Sequence, residues 1–517
     1  MLIQQVLTYY AQSNPNLPCL TVNGETKTYS DMDRLSNQFA NGLLSLGISK
    51  GDRVTVFGEN SLEHVLLFYA TAKLGAIVVP INYRLAPAEL EYVVGDCGAK
   101  LLLALSGMDE TLKAVRKLLP EDILLMSDGL ADTLNWKTWI TDFPDTPPAV
   151  EVQPSDPFLQ LYTSGTTGHP KGVVSSHFNL MSLCQMNGIV GSHRNNPGDS
   201  AIVCAPLFHI GGIGSISGAT FFGQHMLLHE AFDPIRILND VEAHAVGSVF
   251  MVPAMIAAVL QVPGVRDRDF SKLKQINYGA SPISETSLRE AIEVFQCDFT
   301  QMYGMTETTG TVVALTTLDH QRALDGKPEL LLSCGRPCVC AEAKIADADG
   351  NPVATGEIGE IWLKAPTNMM GYHNLPEATA ASLTDGWVHT GDAGYIDDEG
   401  YIYLKDRIKD MVVSGAENIY PVEVENAIAK HASVREVAVI GVPNEKFGEA
   451  LLAFVVLKPN TELSIEELIE FCRDKIAGYK IPRQMELIDE LPRNPSGKIL
   501  KKILRAPFWE GRTREIG

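Results

Sequence analysis

The segment YTSGTTGHPKG, residues 162–172, combines hydroxyl side chains, glycines and a lysine, which are residue types that bind phosphate. Gly165 and Gly168 let successive backbone N–H groups point into one concavity that can hold an anion. Further donors and the cation are Thr163, Ser164, Thr166, Thr167 and Lys171. A proline precedes the lysine, so the order differs from the Walker pattern G-x4-G-K-[ST]. The segment therefore predicts a phosphate site of another type.

Apolar strand candidates at 158–162 and 171–177 flank this segment and must position it. More widely, the first 350 residues alternate short apolar runs with helical patterns, which is typical of an α/β domain with mainly parallel sheets. Residues 51–60 and 76–82 are predicted strands, and 61–75 is a predicted amphipathic helix between them. Further predicted strands lie at 100–106, 200–206 and 245–253.

The pattern changes beyond about residue 340, where Gly-rich and Asp-Gly turns separate alternating segments and predict a small antiparallel β region. After it, a helix opening at Pro421, strands at 434–443 and 449–459 and an amphipathic helix at 464–476 predict a small α+β unit. We therefore predict two domains, residues 1–406 and 407–517. The second is electrically neutral, with 17 basic and 17 acidic residues.

The whole chain carries 42 basic and 63 acidic residues, a net charge of −21. Such a chain repels polyanions, so nucleic acid is not an expected partner. Residues 200–229 contain no acidic or basic side chain, but a proline and five glycines interrupt them. We therefore expect a buried strand–loop–helix region, suited to an apolar pocket, and no integral membrane segment. No signal peptide is predicted, and cytoplasmic localisation is expected.

Together, the ordered motifs resemble those of the adenylate-forming superfamily, which includes acyl- and aryl-CoA synthetases, peptide-synthetase adenylation domains and beetle luciferases. In addition to YTSGTTGHPKG, the matching segments are KLGAIVVPIN (73–82), PLFHIGG (206–212), YGASPIS (278–284), YGMTE (303–307), GEIGEI (356–361), GWVHTGD (386–392), YLKDRIKDMVVSGAENIYP (403–421) and PRNPSGKILK (492–501). The resemblance spans nearly the whole chain. It is closest to bacterial fatty-acyl-CoA synthetases.

This resemblance implies an enzyme that attacks the α-phosphate of ATP with a carboxylate, releases pyrophosphate and passes the acyl group from AMP to a thiol. Residues 163–171 would hold the β- and γ-phosphates, Glu307 would bind Mg²⁺, and Thr306 would donate to the α-phosphate. The remaining implied nucleotide contacts are Tyr303, Gly279, Ala280 and Ser281 for the adenine, and Asp392 and Arg407 for the ribose.

Lys498, in the NPSGKIL stretch, matches the family lysine that bridges the substrate carboxylate and the α-phosphate. Asp406 occupies the hinge position of the family. The resemblance therefore implies a mobile C-terminal domain whose rotation removes Lys498 and brings residues 414–418 towards the site. CoA is the expected acceptor, since the chain ends just after this domain.

The identity of the acid depends on the uncharged segment 200–229. His209 lies where amino-acid-activating relatives generally carry an aspartate, so an amino acid is disfavoured, and His209 is a candidate gate or pocket wall. We favour a medium- or long-chain fatty acid. An aryl or cinnamate-type acid, a carrier protein as acceptor, and a non-catalytic nucleotide-binding homologue are the alternatives. Monomer and homodimer remain open.

Overall fold

The structure is a computed structural model that describes residues 1–130, 133–163, 169–190, 196–281, 283–407, 410–414, 417–444, 447–473, 475–493 and 499–510. The side chains of residues 406, 407, 417 and 418 are outside this description. Most of the phosphate-loop candidates, Ser164 to Gly168, and the candidate catalytic Lys498 therefore lie outside the described residues.

The strands, in chain order, are β1 Pro18–Val22, β2 Glu25–Thr28, β3 Arg53–Phe57, β4 Ile77–Ile81, β5 Ala99–Ala104, β6 Leu124–Ser127, β7 Pro157–Thr163, β8 Lys171–Ser176, β9 Ser200–Val203, β10 His225–Leu228, β11 Val246–Met251, β12 Gln275–Gly279, β13 Asp298–Met305, β14 Gly310–Leu315, β15 Arg336–Pro337, β16 Glu342–Ala346, β17 Gly359–Lys364, β18 Gly371–Tyr372, β19 Leu383–Thr384, β20 Trp387–Ile396, β21 Ile402–Arg407, β22 Val412–Ser414, β23 Glu417–Ile419, β24 Val434–Asn444, β25 Gly448–Leu457 and β26 Gln484–Leu487.

The helices are α1 Ile3–Ser13, α2 Tyr29–Ser45, α3 Leu62–Leu74, α4 Pro87–Cys97, α5 Asp109–Val115, α6 Trp136–Trp139, α7 His177–Val190, α8 Ile210–Phe221, α9 Pro234–Ala243, α10 Pro253–Leu260, α11 Glu285–Phe295, α12 Thr317–Leu324, α13 Pro376–Ser382, α14 Pro421–Ile428, α15 Ile465–Cys472 and α16 Lys501–Arg505.

Two sheets of the N-terminal domain are mostly parallel, as predicted. The first has the order β15-β14-β13-β12-β11-β9-β10-β1-β2 and is parallel from β13 to β1. The second has the order β18-β8-β7-β4-β3-β5-β6 and is parallel from β7 to β6. In such sheets ligands bind beyond the carboxyl ends of the strands. Thr163 ends β7 of the second sheet, and Gly279 and Met305 end β12 and β13 of the first, so the predicted motifs lie at the carboxyl ends of strands in both sheets.

The helix predicted at 61–75 is present as α3, but the prediction that it is amphipathic is wrong. Every residue from His64 to Leu74 is buried. The reason is its place in the fold. The core cluster that contains the apolar residues from Val65 to Leu74 also contains residues of both mostly parallel sheets, among them Val54 of β3 and Met226 of β10. A helix covered on all sides needs no polar face.

The region beyond residue 340 is an antiparallel sheet of β16, β17, β20 and β19, with β21 paired to β20. This arrangement confirms the predicted change of pattern. The smaller C-terminal domain contains a sheet of order β23-β22-β25-β24, with β26 parallel to β25. The boundary at residues 406 and 407 stays a prediction.

Residues 200–229 form β9, α8 and β10, in agreement with the buried strand–loop–helix prediction. In the described part of the chain, we find no helix that is both long enough and apolar enough to span a bilayer.

Candidate active site

The described ends of the phosphate-loop candidate are held by an antiparallel strand pair. Thr163, the last residue of β7, is the register partner of Lys171, the first residue of β8. Strand β8 pairs on its other side with β18, where Tyr372 is opposite Val173. The Lys171 Nζ lies 4.9 Å from the centroid of the Tyr372 ring. This distance is within the range of a cation–π contact, so the lysine is held close to the tyrosine at this edge of the sheet.

The same tyrosine binds the candidate metal ligand. Glu307 lies in a short 3₁₀ turn, Thr306–Thr308, directly after β13, and is only 7% exposed. The Tyr372 hydroxyl donates to Glu307 Oε1 at 2.9 Å, while the backbone N–H of Met369 donates to the Glu307 carbonyl at 2.8 Å. Burial, and then the nearby carboxylate, raise the pKa of Tyr372, so its hydroxyl remains a donor. Lys171, Tyr372 and Glu307 therefore form one connected group.

The adenine and ribose candidates are joined across two sheets. The Tyr303 hydroxyl, on β13, donates to Asp392 Oδ2 on β20 at 2.9 Å. Burial, followed by the charge of Asp392, raises the pKa of Tyr303 well above its usual value. In the β20–β21 pairing, Asp392 is the direct register partner of Arg407. The structure thus brings these three predicted nucleotide contacts to one place, although the Arg407 side chain is outside the description.

Gly279 is required by the neighbouring strand. A Cβ built on Gly279 would lie 2.1 Å from the Met302 carbonyl oxygen of β13. The following Ala280 has a φ of 66°, a left-handed conformation that L-residues seldom adopt. Behind them, the buried Tyr278 hydroxyl lies 2.9 Å from His320 Nε2. A tight strand pair and a strained turn therefore shape this predicted adenine surface, which continues into Ser281.

His209 is the residue directly before α8. Its ring is 4.6 Å from that of Phe208, and its Nε2 has no hydrogen-bond partner among the described residues. Burial, and then the positive charge of Arg84, lower the pKa of His209 to about 4. At neutral pH the imidazole is therefore uncharged, so it fits a pocket wall and cannot supply a cation.

Comparison with known proteins identifies the family in which this arrangement occurs. Residues 7–373 match the AMP-binding enzyme family, and residues 423–498 match the AMP-binding enzyme C-terminal domain. The chain belongs to the AMP-binding enzyme family. The structural match extends over both domains, since a solved anthranilate CoA ligase in complex with anthranoyl-AMP superposes with a TM-score of 0.91 at 27% identity, over 98% of this chain and 97% of that one.

Other relatives of this AMP-binding enzyme differ in the acid for which they are named. A fatty acid–[acyl-carrier-protein] ligase from Streptomyces coeruleorubidus is 36% identical, with 99% of this chain and 97% of the relative covered. A feruloyl-CoA synthase from Amycolatopsis is also 36% identical, over 96% and 97%. The structure of a Mycobacterium tuberculosis fatty acyl CoA synthetase matches at 32% identity and a TM-score of 0.78, over 99% of both chains.

Sequence reasoning missed several side chains of the AMP-binding enzyme that the structure places here. Tyr372 follows Glu307 by 65 residues, a spacing that carries no local pattern. Likewise, the Ser175 and Thr309 hydroxyls, which lie 2.8 Å apart and are both buried, join β8 to the turn that carries Glu307. A single tyrosine, serine or threonine has no sequence signal, because only the pairing of distant strands makes it a partner.

Proposed function

We propose that this AMP-binding enzyme is an ATP-dependent acid–thiol ligase. It activates a carboxylic acid with an apolar tail to an acyl-adenylate, releases pyrophosphate, and then transfers the acyl group to CoA with release of AMP. The observation that carries the proposal is the connected group of Lys171, Tyr372 and Glu307 at the carboxyl ends of the strands. It places a cation and an anion beside the described ends of the phosphate segment, where a triphosphate needs both.

Glu307 fits a magnesium ion. Its buried carboxylate uses Oε1 to accept the Tyr372 hydroxyl, and Mg²⁺ in nucleotide sites needs only one or two carboxylates in addition to phosphate oxygens. Phosphate oxygens of the nucleotide and water would complete the coordination of the ion. When bound, the ion would neutralise charge on the phosphates. Tyr372 orients the carboxylate, and Lys171 adds a positive charge beside it.

The nucleoside is bound by the joined adenine and ribose candidates. Asp392 would accept the ribose hydroxyls, with Tyr303 holding the carboxylate in place and presenting its ring to the adenine. Arg407, the register partner of Asp392, would provide a second ribose contact. Thr306, one residue before Glu307, would donate to the α-phosphate as that phosphate is attacked. Fixed donors of this kind stabilise the charge that develops in the transition state.

Lys498 is proposed to bridge the carboxylate and the α-phosphate, and then to leave as the C-terminal domain rotates about Asp406. Lys498→Ala should reduce acid-dependent pyrophosphate exchange by at least about 100-fold, the scale of a lost transition-state charge contact. Attack of CoA on a supplied acyl-adenylate should persist, because the lysine acts only in the first step. The measurement is isotope exchange in parallel with single-turnover thioester formation. Exchange at the wild-type rate would refute this role.

The acid is proposed to be a fatty acid of medium or long chain. One face of α8 is half-exposed along its length at Gly211, Gly214, Ser215 and Gly218, while the residues between them are buried. From Gly211 to Gly218 this face extends about 10 Å at 1.5 Å per residue. The small side chains on this face suit a linear tail, with the most open space at Gly218, and the neutral His209 directly precedes the same helix. No charged side chain from 200–229 is available to pair with an amino group.

Two finer alternatives have specific support. Relatives named for ferulate and anthranilate favour an aryl acid, and the relative named for an acyl carrier protein favours a protein-bound thiol as acceptor. The deciding experiment measures AMP and pyrophosphate release for fatty, aryl and amino acids, each with CoA or with a phosphopantetheinylated carrier protein. Turnover of amino acids alone would refute the apolar-tail assignment. Absence of acid-dependent exchange with every acid would refute the ligase assignment.

A further inference from the structure

A continuous chain of hydrogen bonds includes Tyr162, the first residue of the phosphate segment. Arg53, on β3, donates from Nε to Gln160 Oε1 at 2.8 Å. The amide of Gln160 donates to the Tyr162 hydroxyl at 3.0 Å, and that hydroxyl donates to Asp96 Oδ2 at 2.5 Å. At its other end, Arg53 Nη2 lies 3.0 Å from His373 Nδ1. This polar chain, Asp96–Tyr162–Gln160–Arg53–His373, connects α4, β7 and β3 with the end of β18.

The donor and acceptor groups of its residues determine the direction of every hydrogen bond in the polar chain. A guanidinium only donates, so His373 must accept at Nδ1 and carry its proton on Nε2. Burial, and then the charge of Arg53, lower the pKa of His373, which favours this neutral form. The Gln160 side chain is fully buried, and its carbonyl accepts from Arg53 while its NH₂ donates. Burial, followed by the hydrogen bond to Asp96, raises the pKa of Tyr162, which keeps its proton.

Gly172, the last residue of the motif, is the register partner of Tyr162 and packs against the polar chain. A Cβ built there would lie 2.5 Å from Gln160 Nε2 and 3.1 Å from Tyr162 Cζ. Its carbonyl accepts the backbone N–H of His373 at 2.7 Å. The glycine is thus required by close packing against the polar chain, and it carries a direct link from the motif to the residue that follows Tyr372.

Helix α4 also contacts the phosphate segment at His169 and Pro170. Tyr92, one turn before Asp96 on this helix, stacks on His169 with the ring centroids 4.6 Å apart and an interplanar angle of 24°. Its hydroxyl lies 3.4 Å from the Pro170 carbonyl. Asp96 therefore binds the segment before the glycine-rich part, and Tyr92 contacts it afterwards.

We propose that the polar chain and Tyr92 are a positioning device for the phosphate segment, and that they set its affinity for the two terminal phosphates of ATP. The inference rests on the proposed function, in which this segment binds those phosphates. His373 follows Tyr372, which donates to Glu307, so the same device couples the segment to the candidate metal ligand. Tyr162 is the first residue of the segment, and Asp96, Gln160 and Arg53 act through it, so all four are positioning residues.

The test is Tyr162→Phe, which removes one hydroxyl and leaves Gln160 and Asp96 without their shared partner. We expect the KM for ATP in the forward reaction, and that for pyrophosphate in exchange, to rise about 10-fold, the scale of a lost hydrogen bond to a charged group. Affinity for AMP, which lacks the terminal phosphates, should change less than twofold. A purely structural role would weaken AMP binding equally, and that result would overturn the proposal.

Two controls keep the result interpretable. Tyr29→Phe removes another buried tyrosine hydrogen bond, to the Gln224 carbonyl at 2.8 Å, and should leave the KM for ATP unchanged. If Tyr162→Phe does not fold, the pair His373→Asn and His373→Ala replaces it. Asparagine can present an oxygen to Arg53, so it should restore most of the pyrophosphate affinity that alanine loses. Equal affinities in the pair would overturn the proposal, whereas wild-type protein without any exchange would instead refute the proposed ligase function.

Discussion

The candidate nucleotide side and the proposed acid side of the site are built in opposite ways. On the nucleotide side, Glu307 and Asp392 each accept from a tyrosine hydroxyl at 2.9 Å, and glycines are placed by contacts shorter than a side chain allows. On the acid side, α8 presents small residues on a half-exposed face, and His209 Nε2 has no partner among the described residues. One side is specified by directional bonds and the other by space.

This difference explains why the family is easier to identify than the substrate. A hydrogen bond needs particular donors and acceptors at particular positions, so the nucleotide side requires recognisable residues. Many different side chains can enlarge or fill the space for an apolar tail at little cost in the stability of the fold. Relatives named for fatty, feruloyl and anthranoyl acids accordingly match nearly the whole of this chain. Three predictions test whether the two sides are independent.

The largest effect is expected on the nucleotide side, from Glu307→Gln. The amide retains an acceptor for Tyr372 but loses the negative charge, so kcat/KM for ATP should fall about 100- to 1,000-fold. Tyr372→Phe keeps the carboxylate and loses only its hydrogen bond, for which a loss of about 10-fold is expected. Both are measured by pyrophosphate exchange over a range of Mg²⁺ concentrations. A Glu307→Gln rate within threefold of wild type would contradict the assignment of the metal ligand.

An intermediate effect is expected on the acid side, from Gly218→Leu. No atom lies within 4 Å of a Cβ built at Gly218, so leucine fills the open face of α8 without a clash, and it favours the helix. The KM should rise about 10-fold for long acids, the equivalent of two buried methylenes, and remain unchanged for short acids and for ATP. Gly95→Leu, at an exposed glycine of α4 with an equally open Cβ, is the matched control. An unchanged chain-length profile would show that the tail lies elsewhere.

The smallest effect concerns stability near the nucleotide side. His177 is fully buried, stacks on Phe158 of β7 at 4.4 Å, and has no hydrogen-bond partner for either ring nitrogen in the described part of the chain. Burial lowers its pKa to about 4, from about 6.5 when unfolded. Between these values the unfolded state binds the proton and the folded state does not. The contribution of His177 to the free energy of unfolding is therefore fully present above pH 6.5 and declines as the pH falls towards 4.

The predicted observable is the melting temperature between pH 7 and pH 4.5. It should fall more steeply for the wild type than for His177→Phe, which retains an aromatic ring against Phe158 and has no proton to bind. Parallel curves for the two proteins would mean that His177 does not contribute to the slope. The acid side should be unaffected, with the same chain-length profile in both proteins at pH 7.

Much of the fold was predictable because strands and helices follow local patterns. The strands that flank the phosphate segment, the change of pattern near residue 340 and the strand–loop–helix order of 200–229 are all present in the structure. The amphipathic character predicted for α3 was wrong, since packing on all sides depends on the neighbours and not on the period of the helix itself. The roles of all the candidate site residues remain predictions, and Lys498 and residues 164–168 also lie outside the described residues.

By itself, the sequence determined the family and the residues expected to contact ATP, because short motifs carry the glycines, hydroxyls and charges that phosphate chemistry requires. Only the tertiary structure decided which side chains support them. Tyr372 reaches Glu307 across 65 positions, and Arg53 reaches His373 across 320. Hydrogen bonds between strands that are distant in the chain leave no local pattern, so they become visible only when the sheets are assembled.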